Sequence, residues 1–187
     1  MSTANPTPPS TDIESNTSYP AEVFFDIETL INVVQPQRIL LLSDSNADFL
    51  NNYIEQKRVL NQECTVTQLK SSQIMSVLKL EQRFDVAIAL NWFEHLDKSS
   101  GQQTLSRLRD IMSSQYCICL PMTKSQDENG WHLTDLFSFA LSKVANYSAN
   151  NQNLGLFKYN IHDYKKTPDW LNSDNWANPN MWGKYWW

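Results

Sequence analysis

Glycine is scarce in this chain: four among 187 residues, against a usual share of about 7%. None precedes Gly101. The first half therefore contains no glycine-rich loop of the kind that lets a backbone approach a phosphate or a nucleotide closely. Long apolar runs are missing too, so no membrane span is expected. No Lys or Arg occurs before Arg38 and no apolar stretch follows the start, so no signal peptide is expected and a cytoplasmic location is. Cysteine is limited to Cys64, Cys117 and Cys119, without zinc spacing. Free thiols in a reducing compartment are the plain reading. His132 and His162 stand apart from any ligand-like partner in sequence, so no metal is expected.

Charge excludes another class. The net charge is −5, and the acidic excess lies in Asp12, Glu14, Glu22, Asp26 and Glu28. From Arg38 onward acids and bases balance at 15 each. No basic face for nucleic acid is present.

The most informative stretch runs from Phe84 to Leu96, Phe-Asp-Val-Ala-Ile-Ala-Leu-Asn-Trp-Phe-Glu-His-Leu. Val86 to Leu90 is continuously apolar, as a parallel strand covered on both faces requires. Polar and aromatic groups begin at Asn91, at the carboxyl end of that strand, where ligands sit in open α/β sheets.

Around it, helical and strand-like segments alternate. Met1 to Tyr19 is polar and proline-rich and reads as a disordered segment. Pro20 opens a helix with Val23, Phe24, Ile27, Leu30, Ile31 and Val34 at helical spacing, ended by Pro36. Arg38 to Leu42 is a strand. Ser43-Asp44-Ser45-Asn46 is a capping turn before a helix over about 47–57. Cys64 to Leu69 is a strand and Ser71 to Leu80 a short helix. Ser99 or Ser100 caps a helix with Leu105, Leu108, Ile111 and Met112 inward. Tyr116 to Leu120 is a strand. Met122 to Gly130 is a polar loop. Leu133 to Val144 repeats at helical spacing, Tyr147 to Asn153 is a connector, and Leu154 to Ile161 is a last strand. The sum is an α/β, three-layer fold with a mostly parallel sheet of about five strands. The domain spans 20–164. The tail from Lys165 carries Trp170, Trp176, Trp182, Trp186 and Trp187 and packs on the domain. The same tryptophans also suit a patch for a protein partner.

Phe84-Asp85-Val86, Glu94-His95-Leu96, the helix around Leu105 to Met112 and the strand Tyr116 to Pro121 together resemble class I S-adenosylmethionine-dependent methyltransferases. The likeness covers about forty residues well and the preceding fifty loosely. The tail, with Trp-Ala-Asn-Pro-x-x-Trp over Trp176 to Trp182, resembles that of a small proteobacterial family of unknown function. The first resemblance implies a Rossmann-like fold, and a cofactor crevice formed by Ser43, Asp44, Ser45, Asn91 and Trp92, with Glu94 and His95 beside it.

The departures from that pattern are specific. Ser43, Ser45 and Ala47 stand where the family has glycines, and Leu41 where it has an acid. Strand two ends Gln68-Leu69 without the ribose-holding carboxylate. About fifteen residues separate it from Phe84, too few for the usual helix-strand unit. Met112-Ser113-Ser114-Gln115 replaces a Pro-Gly-Gly turn. The reading is a reduced methyltransferase-like fold, non-catalytic, acting as a binding or interaction module with no cofactor. The alternative is an active methyltransferase using S-adenosylmethionine in an atypical site. Asp44 reads either as a cap or as a ligand. Glu94 and His95 read either as an acid/base pair or as turn formers. Trp92 suits either stacking on an adenine or filling a vacated cofactor space.

Overall fold

The computed structural model describes residues 19–123, 130–149, 151–164, 181 and 184. One sheet organises them. Helix α1 (Ala21–Val34) leads into strand β1 (Arg38–Leu42). A 3-10 turn and α2 (Asn51–Val59) follow, then β2 (Thr65–Leu69). Another 3-10 turn and α3 (Ile74–Lys79) lead to β3 (Val86–Leu90). Helix α4 (Lys98–Arg107) continues as a π-helical stretch, Leu108–Met112, into β4 (Gln115–Pro121). Helix α5 (Leu133–Ser138), β5 (Ser142–Ala149), β6 (Gln152–Asn160) and the short α6 (Ile161–Tyr164) complete the order.

The sheet runs β2-β1-β3-β4-β6-β5. The first four strands are parallel, whereas β6 is antiparallel to β4 and β5 antiparallel to β6. This is an α/β, Rossmann-like architecture, mostly parallel. Side chains alternate between two cores. Ile39, Leu41, Val86, Ile88, Leu90, Cys117 and Cys119 face Val23, Ile27 and Ile31 of α1 and Tyr53 of α2. Leu40, Leu42, Ala87, Ala89, Tyr116 and Ile118 face Val77 of α3, Leu105 of α4 and Leu136 of α5. With both faces covered, β3 is buried at every position. That explains its unbroken apolar run.

Three expectations change. Among the described residues the strands number six, not about five, because the helix at Leu133 stops at Ser138. Ala140 takes a left-handed φ of 61°, which ends the helix. Ser142–Ala149 then pairs along β6 as an edge strand, one bulge included. Tyr147 and Asn153, expected in a connector, face one another's strands across that hairpin. The spacing Leu133, Leu136, Phe137, Ala140, Leu141, Val144 reflects no helical face: Leu133, Phe137 and Val144 are exposed. Helix α4 is capped by Asp97, not by a serine: its carboxylate accepts from Ser100 N at 3.0 Å and Ser100 Oγ at 2.6 Å.

The third change concerns Tyr19. Composition places it at the end of a disordered segment, yet only 8% of it is exposed, in the core beneath α1. Residues 1–18 lie outside the described residues. So do 124–129 of the loop after β4 and all five tail tryptophans. No helix among the described residues is long and apolar enough to cross a membrane.

Candidate functional site

The direction of the chain reverses between β1 and β3. From β1 the chain passes to β2 on one side, and from β3 it passes to β4 on the other. The carboxyl ends of β1 and β3 therefore diverge into a crevice, the position that doubly wound sheets use for ligands. Ser43, Asp44 and Ser45 follow β1, and Asn91 and Trp92 follow β3, so the fold brings together the residues proposed from sequence.

These groups are tied to one another. Gln68, at the end of β2, donates through Nε2 to the carbonyls of Ser43 (3.0 Å) and Ser45 (2.8 Å). Asn91 Nδ2 reaches Ser45 Oγ at 3.3 Å, spanning the crevice. Ser43 is buried, its Oγ accepting from Ser45 N at 3.1 Å. Asp44 caps neither α2 nor its 3-10 turn. Its Oδ1 accepts from Ser71 N at 2.9 Å, at the turn after β2. Its Oδ2 lies 3.6 Å from His95 Nε2.

Trp92 is fully buried in the core shared with Leu42, Ala89 and Leu105. It does not line an open pocket.

Glu94 and His95 diverge. His95 faces Asp44 across the crevice mouth. The Tyr19 hydroxyl donates to Glu94 Oε1. The same hydroxyl accepts from Asn91 N at 3.0 Å and lies 3.2 Å from the Cys119 carbonyl. Burial is the main influence on both partners. It raises the Glu94 carboxyl above the ordinary carboxylate range, although the bond from Tyr19 pulls the other way. It also raises the Tyr19 phenol, which the Glu94 charge raises further. The phenol therefore remains a neutral donor.

Asn91 Oδ1, Trp92 Nε1 and Glu94 Oε2 are buried without a hydrogen-bond partner. Asn91 itself has a left-handed φ of 50°, which asparagine tolerates well. Three unpartnered polar atoms within four residues are unusual, since buried polar groups are normally paired. No cluster of His, Cys, Asp or Glu suited to a metal occurs among the described residues.

Sequence reasoning missed two members of this site. Tyr19 is the one aromatic in the first 19 residues, a signal outweighed by the polar composition around it. Gln68 stands out in the sequence only as the absence of an acid, because its reach across to the β1 loop needs the strand pairing of Leu41 with Gln68.

The chain belongs to the Family of unknown function (DUF6231), which matches residues 22–187. No curated protein matches it. Among solved structures it is similar to magnesium protoporphyrin IX methyltransferase from Synechocystis PCC 6803 with bound SAH. The identity is 9%, covering 73% of this chain and 81% of that one, with a TM-score of 0.45. It is also similar to 1,6-didemethyltoxoflavin-N1-methyltransferase from Burkholderia thailandensis with bound 1,6-didemethyltoxoflavin and S-adenosylhomocysteine. There the identity is 11%, covering 71% and 76%, with a TM-score of 0.43. The bound ligands are properties of those two proteins.

Proposed function

We propose that this DUF6231 chain is a methyltransferase-like protein whose switch-point crevice no longer holds S-adenosylmethionine, and that it works as a non-catalytic binding module. The observation that carries this reading is the Gln68 side chain. Its amide donates to the carbonyls of Ser43 and Ser45, so the loop after β1 is held by the end of β2. A cofactor cradle needs that loop open, with glycines allowing close backbone approach. Here Ser43 and Ser45 carry Cβ atoms and are tied down, and Asn91 Nδ2 bridges the remaining gap. A carboxylate at position 68 would accept from ribose hydroxyls, whereas this amide donates inward. The residues present do not fit the cofactor.

On this reading the working surface lies elsewhere. The tryptophan-rich segment from Lys165 is the candidate by composition, with a protein as its partner.

One observation favours the alternative, an active methyltransferase with an atypical site. Asn91 Oδ1 and Glu94 Oε2 are buried acceptors without partners, and a ligand would satisfy them. Calorimetric titration of the full chain with S-adenosylmethionine separates the two. We expect no binding at micromolar concentrations. A stoichiometric, micromolar response would reverse the assignment and make Asn91 the first residue to substitute.

A further inference from the structure

A polar cavity lies at the end of the sheet opposite the crevice. It sits where β4 begins and β6 ends, beside the π-helical stretch after α4 and the turn after α5. Its volume is about 430 Å³, and Arg83, Arg109, Asp110, Ser113, Ser114 and Tyr159 are among the residues that line it.

We propose that this cavity binds a small molecule through a phosphate group, with the guanidinium groups of Arg83 and Arg109 taking the phosphate oxygens. The site is separate from the switch-point crevice, so the inference does not depend on whether S-adenosylmethionine binds.

Both guanidinium groups are positioned by the protein itself. Arg83 Nε donates to the Ile111 carbonyl at 3.1 Å, which orients the group and engages one of its five N–H donors. Arg83 makes no ion pair with any described residue. Arg109 Nε donates to Asp110 Oδ1 at 2.8 Å, and its Cζ lies 5.8 Å from the centre of the Phe139 ring. Groups held in place before a ligand arrives lower the ordering cost of binding. Arg109 belongs to the π-helical stretch, a distortion frequent at functional sites.

Charge and shape select the ligand. Asp110 offsets one of the two arginines and no other acid lines the cavity, so one positive charge is left over. The planar fork of arginine matches phosphate oxygens two at a time. A phosphate monoester presents three oxygens and a charge of about −1.5 to −2 near pH 7, which suits two forks. A carboxylate offers two oxygens, and one fork alone engages both. Ser113 Oγ donates to the Gln115 carbonyl at 2.6 Å. The Ser114 hydroxyl makes no hydrogen bond with a described residue and is a further donor. The cavity also exceeds what a bare phosphate needs, since small-molecule sites run from about 300 to 1,000 Å³.

The test uses the full chain and phenyl phosphate as the probe, with phenol as the uncharged control and calorimetry as the readout. Phenyl phosphate should bind saturably, and more weakly as salt is added, whereas phenol should not bind. Arg83→Ala should weaken phenyl phosphate roughly tenfold or more. Arg83→Lys should recover only part of the loss, because lysine keeps the charge without the fork. Arg58→Ala, at an exposed arginine paired with Glu55, should leave binding unchanged. Arg83 is itself exposed, and the lysine variant reads the same site if the alanine variant melts early. No saturable binding, equal binding of phenol, or equal weakening by Arg58→Ala would overturn the proposal. So would loss of binding in Asn91→Ala, which would place the probe in the crevice.

Discussion

Tyr19 and Glu94 stand 75 residues apart in the chain, yet the phenol donates to the buried carboxylate as its principal polar partner. The bond joins the segment ahead of α1 to the turn after β3. Tyr19→Phe keeps the ring and removes only the hydroxyl, leaving Glu94 Oε1 and Asn91 N buried and unpaired. Hydrogen bonds to charged groups contribute about 1.5–3 kcal/mol. For a chain of this size, each kcal/mol is about 2–4 °C in melting temperature. A loss of roughly 3–12 °C is expected by calorimetry. An unchanged melt would remove Tyr19 from the stabilising contacts.

Glu94 makes stability depend on pH in a direction opposite to most carboxylates. Its pKa is raised in the folded chain, chiefly by burial, so the native state holds the proton more tightly than the unfolded state. The associated stability is fully present below the ordinary carboxylate range and is lost as pH rises through the elevated value. Glu94→Gln should flatten that dependence. As pH rises above the ordinary carboxylate range, the wild-type melt should fall more than the variant's. A steeper fall in the variant would contradict the assignment.

Thiol reactivity follows burial. Only the thiolate reacts, and burial pushes the Cys117 thiol up to about 12 and raises Cys119 as well. Cys64, the partly exposed one of the three, should be the only cysteine labelled by a thiol reagent at pH near 8, a common labelling condition given a free thiol pKa of about 8.5. Denaturant should expose all three. Rapid labelling of two or more in the native chain would show that the face beneath α1 opens.

Gly101 lies buried inside α4, and a Cβ there would sit 2.6 Å from Trp131 Cζ2. Replacing a helical glycine by alanine ordinarily stabilises by about 1 kcal/mol. Overpacking works against it by about 1–3 kcal/mol, and Trp131 is itself buried against Phe93, ring centroids 5.5 Å apart. Gly101→Ala should therefore lower the urea midpoint. A raised midpoint would mean that Trp131 moves aside without penalty.

The tail carries five tryptophans between Trp170 and Trp187. Burying one large apolar side chain contributes about 1.5–3 kcal/mol, so even a few would matter against a net stability of about 5–15 kcal/mol. Truncation after Thr167 should give insoluble or molten protein. A truncated chain that stays monomeric and melts cooperatively, while the full chain self-associates, would assign the tail to a partner instead.

The sequence by itself determined the elements whose signals are local. The unbroken run Val86 to Leu90 identified a strand covered on both faces, because every side chain there meets apolar surroundings. The polar turns after Leu42 and Leu90 marked the ends that meet at the switch point. Serine at positions 43 and 45 showed, without coordinates, that the loop lacks the freedom of glycine. Tertiary structure alone decided the rest. Ser142 to Ala149 follows a helical period in part, and becomes a strand because β6 offers it a backbone partner. Gln68 acts on Ser43 and Ser45 because parallel pairing sets β2 beside β1. Tyr19 lies in a polar stretch that composition alone reads as disordered, and it is ordered by Asn91, Glu94 and Cys119, which lie 72, 75 and 100 residues away. A side chain's own neighbours in sequence carry its intrinsic preference. Which hydrogen-bond partners reach it across the fold depends on contacts that no local pattern encodes.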